Sequence, residues 1–164
     1  MSLVFKISNA RDLLNKLRRD EERLLDALSS SNEETIGDAL FDFAVTGHSI
    51  KDWAKKAAVS HPSDIDVEAL VKSNVYLQAC RDIANSSKHQ SITQYVAATA
   101  RVYASLTAVH SVSGFDKQEI VETEQNYASF KIKILMTDGI KIEMRQFARN
   151  VIAAWDSSLN QLGV

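Results

Sequence analysis

The sequence predicts a mainly α protein: an up-and-down bundle of long N-terminal helices, then a small antiparallel β-hairpin or meander, then a terminal helix. Three observations predict it. Apolar residues recur at four-three spacing through the first half of the chain, the period of one buried helix face. Pro and Gly are scarce, one and five in 164 residues, so little interrupts long elements. Towards the C-terminus the pattern changes to alternation on both sides of Asp138–Gly139, the mark of a hairpin. A chain of this length suits one domain. It is expected as a bundle over 1–90, a mixed segment over 91–146 holding a hairpin at 129–145, and a helix over 147–162.

Helix one is expected to start after Ser8 or Asn9, either of which can accept a bond from a free N-terminal amide. Ala10, Leu14, Leu17, Leu24 and Leu28 make its apolar face, with Glu21 as the one interruption, and Leu13 and Leu25 widen it. Helix two is capped by Asn32, and Glu33 and Glu34 complement the dipole of its first turn. Its seam is the cleanest in the chain: Ile36, Leu40, Phe43, Gly47, Ile50, Ala54 and Ala57. Gly47 on that seam predicts close approach of a neighbouring helix, since it otherwise costs about 1 kcal/mol against Ala.

A turn follows at Pro62–Asp64, and helix three is expected to run from about Ile65 into the stretch "CRDIANSSKHQ". It is apolar on two sides: Val67, Leu70, Val71 and Leu77 on one, Tyr76, Cys80 and Ile83 on the other, the habit of a central helix. The segment 91–112 fits both helical and strand patterns, with its later half favouring a strand. Phe130, Ile132, Ile134 and Met136 alternate with Lys131, Lys133 and Leu135 before the "TDG" turn, and Ile140, Ile142 and Met144 alternate on the return. A last helix from about Phe147 buries Val151, Ala154, Trp155 and Leu162 and stops at Gly163.

A net charge of −2 and a pI near 6.1 give no whole-domain electrostatic case for nucleic-acid binding, and leave room only for a local basic patch. One cysteine excludes an internal disulfide. No run of eighteen apolar residues exists and the N-terminal apolar stretch is short for a secretory signal, so a cytoplasmic protein without a membrane partner is expected. Phosphate-loop, zinc-protease, cysteine-pair and nucleophile-elbow motifs are absent, and His48, His61, His89 and His110 are scattered; no metal and no cofactor is expected.

The candidate site is a polar stripe. On one continuous helix, Asn74, Gln78, Arg81 and Asn85 share a narrow arc, with His89 at its edge, on the side that should meet helix two. Helix two offers a second stripe beside its seam: Asp38, Phe41, Val45, His48 and Asp52. Arg81 would reach Asp38 or Asp42, because a buried guanidinium must be paired. His48 and Asp52, one turn apart, are either an orienting pair for general-base chemistry or a surface contact. Asn85 and His89 are either site residues or a helix cap.

"GHSIKDW" followed by "CRDIANSSKH" resembles a group of small bacterial proteins that is in turn similar to the HEPN superfamily of helical bundles. The similarity spans about residues 35–90. It implies a metal-independent ribonuclease of toxin–antitoxin or phage-defence type, frequently dimeric. By that resemblance Arg81 is the signature arginine, Asp82 the polar residue after it, and His89 the general base acting on a ribose 2′-hydroxyl. Arg81 would stabilise the phosphate transition state, with Asp82 and Asn85 as orienting groups. Seven residues separate Arg81 from His89, one more than the signature carries. The favoured expectation is therefore non-enzymatic: an interaction or dimerisation module whose buried polar network surrounds Arg81, with the ribonuclease as the alternative. The partners to expect are a second copy of the chain, an RNA or another protein.

Overall fold

A computed structural model describes residues 7–30, 32–60, 65–86, 99–108 and 128–164. In chain order these form α1 (Ala10–Ser29), α2 (Glu33–Ser60), α3 (Val67–Ser73), α4 (Val75–Ser86), β1 (Thr99–Ala108), β2 (Ala128–Met136), β3 (Lys141–Glu143) and α5 (Met144–Gln161). The architecture is the mainly helical one expected, with a small antiparallel sheet and a C-terminal helix.

Local chemistry explains the boundaries. Asn9 caps α1 by accepting from the amide of Asp12 at 2.8 Å, and the Asp12 carboxylate accepts from the amide and hydroxyl of Ser8 in return. Those bonds, the Ser8 amide foremost, hold the Asp12 carboxyl below its ordinary pKa. Asn32 caps α2 through the amide of Thr35. At the hairpin tip Gly139 adopts φ 90°, a conformation that suits glycine, and the Asp138 carboxylate accepts from the amide of Ile140.

The three strands lie in the order β1-β2-β3, all antiparallel. Ile134 sits opposite Val102 on one side and Ile142 on the other. Ile132, Ile134 and Met136 are buried beneath the helices, as their alternation predicts. The return strand is shorter than its pattern suggests: β3 covers three residues, and α5 begins at Met144 rather than near Phe147. Ile140, in the turn, is 52% exposed. The side chain of Phe130 lies outside the described residues. The later half of 91–112 is a strand over Thr99–Ala108, and the earlier part lies outside the described residues, as does the turn at Pro62.

One apolar cluster draws on all five helices and on β2 and β3. Trp155, Phe43 and Phe147 are its largest members, and Phe43 meets Phe147 edge to face at 5.7 Å between ring centroids. Gly47 marks the tightest point. A Cβ built there would lie 2.8 Å from Cys80 Sγ, 3.4 Å from Val151 Cγ1 and 3.5 Å from Leu17 Cδ1. So α1, α4 and α5 converge on α2 at one glycine. Lys51 and Lys55 of α2 reach Glu68 at the start of α3, whereas Cys80 of α4 bonds the carbonyl of Ala44. The α3–α4 pair therefore runs antiparallel to α2, as expected.

Candidate functional site

The continuous helix three of the sequence is two helices. At Asn74 the backbone is extended, φ −100° and ψ 113°. Its amide still donates to the carbonyl of Leu70 at 3.1 Å, closing α3. Its side-chain oxygen accepts from the amides of Tyr76 and Leu77 at 3.0 and 3.1 Å, opening α4. A short amide side chain competes with the helix for nearby backbone donors, and here it wins. Gln78 completes the joint: its Nε2 donates to the carbonyl of Lys72 at 2.6 Å, serving an acceptor that the end of α3 leaves unpaired. Asn74 and Gln78 thus belong to a helix junction, and the expected stripe loses its first two members.

Arg81 and Asp82 form the centre of what is left. Arg81 Nε and Nη2 both donate to Asp82 Oδ1, at 3.0 and 2.9 Å. The Arg81 side chain keeps 17% exposure and that of Asp82 only 2%. The expected pairing was with Asp38 or Asp42, yet both lie exposed on α2, and the guanidinium folds instead onto the next residue in the chain. Asn85 is half-buried one turn on, and His48 half-buried on α2. None of Arg81, Asp82, Asn85 and His48 is without a bonding partner. Asp52 is exposed, and with Trp53 and Lys56 it lines an open surface depression. His89 lies outside the described residues.

Cys80, between these elements, is fully buried, and burial pushes its thiol up to about 12. It is a packed thiol rather than a nucleophile. Among the described residues no group of three His, Cys, Asp or Glu could hold a metal ion.

A stronger polar cluster lies elsewhere. Asp20 is completely buried between α1 and α2. Thr46 Oγ1 donates to Asp20 Oδ2 at 2.6 Å; Lys16 Nζ donates to the same oxygen at 2.6 Å and to Thr46 Oγ1 at 2.7 Å. Arg23 Nη2 closes on the other carboxylate oxygen. The sequence carried a signal for it. Ala10, Leu13, Leu17, Asp20, Leu24 and Ala27 follow an unbroken three-four spacing, and all are buried. The interruption of the buried face is thus Asp20, while Glu21 is only partly buried. Lys16 and Arg23, four before and three after, stand where a helix brings counter-charges to Asp20.

Arg11 ties α1 to α5 through Asp156 Oδ1 at 2.5 Å, Asn160 Oδ1 at 2.8 Å and the carbonyl of Val164. The indole N–H of Trp155 is, among the described residues, the one buried side-chain polar atom with no acceptor. Comparison of the chain with protein-family models, with curated proteins and with solved structures finds no match.

Proposed function

We propose that the protein is a non-enzymatic interaction module in which the polar residues of α4 are engaged within the fold rather than by a ligand. The observation that carries this reading is the pairing of Arg81 with Asp82 in a largely closed position. A phosphate-binding arginine must offer its donors to a ligand. Here two guanidinium nitrogens are already bonded to a carboxylate that burial deprives of solvent. Asn74 and Gln78, which shared the stripe in sequence, bond the helix junction instead.

One observation favours a second reading, the metal-independent ribonuclease of the resemblance. Arg81 keeps a solvent-facing edge, and it is oriented by the polar residue that follows it, the role the resemblance implies for Asp82. The two readings separate in one experiment. Purified protein is incubated with structured and unstructured RNA, and thermal unfolding of Arg81→Ala and His89→Ala is followed in parallel. The module reading expects no cleavage and a melting temperature lowered by roughly 5–15 °C in Arg81→Ala, the effect of taking away the cation bonded to the buried Asp82 carboxylate, at about 2–4 kcal/mol. Cleavage by wild type that both variants lose, with melting unchanged, would establish the ribonuclease and end the module reading.

A further inference from the structure

The two edges of the sheet differ sharply. β3 is three residues long and carries Lys141 and Glu143, the short charged edge that natural proteins use to stop unwanted pairing. β1, at the other edge of the three described strands, is ten residues long, TARVYASLTA, with no Pro, no Gly and one charge, Arg101. Its single irregularity is the register shift between Thr99 and Arg101; from Arg101 to Ala108 the pairing with β2 is unbroken. Among the described residues no strand pairs with the outer side of β1, which presents an unblunted row of backbone donors and acceptors.

Val102 supplies a second, independent observation. It lies opposite Ile134, and directly opposed residues of an antiparallel pair share a face. Ile134 is 0% exposed, yet Val102 is 38% exposed. The cover over the sheet therefore fades between β2 and β1, and an apolar side chain on the core-side face is left in solvent at the edge.

We propose that β1 pairs antiparallel with β1 of a second copy, about a two-fold axis at Ala104, to make one six-stranded sheet across the dimer. The strand is complementary to itself in this register. Ala104 meets Ala104 of the second copy, Val102 meets its Leu106, and Tyr103 meets its Ser105. Because an axis through a residue pairs even positions with even ones, the core-side face continues across the junction and covers Val102. Arg101 meets Thr107 of the second copy, which holds the two Arg101 positions about 20 Å apart along the sheet, so no like charges face each other. Length selects this partner over the other strands of the chain: β2 is already paired on both sides, and β3, three residues long, cannot match the ten of β1.

This inference deepens the module reading by naming the partner, and it is measured by mass and cross-linking rather than by melting or RNA cleavage, so either can fail alone. Light scattering on the full chain should give twice the 18.2 kDa chain mass. Ala104→Cys, placed on the axis, should form a disulfide-linked dimer under mild oxidation, since opposed strand positions meet the Cα separation that a disulfide requires. Val59→Cys, on the exposed end of α2, should not, and buried Cys80 offers no competing thiol. Val102→Lys, at a position already part-exposed, should give monomer with an unchanged helical circular dichroism spectrum. A wild-type monomer at every concentration overturns the proposal. So does a dimer that persists in Val102→Lys, or one in which Ala104→Cys fails to cross-link.

Discussion

At Gly47 a single hydrogen in place of a side chain lets four helices meet. A methyl group there would fall 2.8 Å from Cys80 Sγ, well inside van der Waals contact. Gly47→Ala gains helix propensity of about 1 kcal/mol and should still destabilise, because overpacking costs about 1–3 kcal/mol. The remedy is specific. Cys80→Ala in the same chain removes the clashing sulfur, so the double variant should recover most of the loss in denaturant unfolding. If the two losses simply add, the close approach is not what Gly47 provides.

Asp20 makes the second residue-scale claim. Its charge is buried, but Lys16 and Arg23 are 33% and 57% exposed and can return to water. Removing the carboxylate and removing its partners should therefore differ. Asp20→Leu combined with Thr46→Val replaces both buried partners by apolar groups and should be near neutral, whereas Thr46→Val alone strips a hydroxyl from the buried oxygen and should cost about 1–2 kcal/mol. Chemical denaturation of both variants checks the order; equal losses would contradict it.

At the scale of elements, the junction between α3 and α4 rests on one side chain. Asn74→Ala should cost about 1 kcal/mol, the worth of an N-cap, while Asn74→Asp keeps an acceptor and should cost little. Thermal unfolding of the pair decides it. This junction also shows how far the sequence could be read. The long helices α1 and α2, the hairpin tip and α5 were legible, because burial of one face writes its period directly into the residues. The break at Asn74 was not. Val67, Val71 and Leu77 stay buried across it, so the apolar pattern carries no gap there, and only the capping preference of asparagine marks the site. The helix expected to carry the stripe is interrupted there for that reason. Spacing points Arg81 across to Asp38 or Asp42 on α2, whereas the bonded carboxylate is Asp82. A long, flexible side chain can turn onto its own neighbour, which no periodicity encodes. Asp20 was missed for the converse reason, hidden in an apolar face that Glu21 seemed to interrupt.

For the whole molecule, the tested properties are charge and assembly. Burial raises the pKa of Glu21 above its ordinary 4.5, with Arg149 opposing the shift. A carboxyl whose folded pKa is raised binds more protons folded than unfolded. It therefore subtracts stability as pH rises from about the ordinary value through the raised one. Glu21→Gln should unfold at a slightly higher temperature than wild type at pH 7, and the difference should vanish on acidification below that window; a difference independent of pH would refute the assignment. No helix among the described residues is long and apolar enough to cross a membrane. With Arg11 fastening α1 to α5, and Gly47 joining α2 to α1, α4 and α5, the bundle forms a frame, and β1 is an edge strand among the described ones.

Arg81 and Asp82 serve either each other or a ligand. A double-mutant cycle over Arg81→Ala, Asp82→Ala and the paired variant, measured by denaturant unfolding, isolates their coupling. The structural clamp predicts a coupling of about 1–3 kcal/mol, with the paired variant less destabilised than the two single losses together. A coupling near zero, with Arg81→Ala as stable as wild type, would contradict it and return Arg81 to the role of a group held ready for something outside the chain.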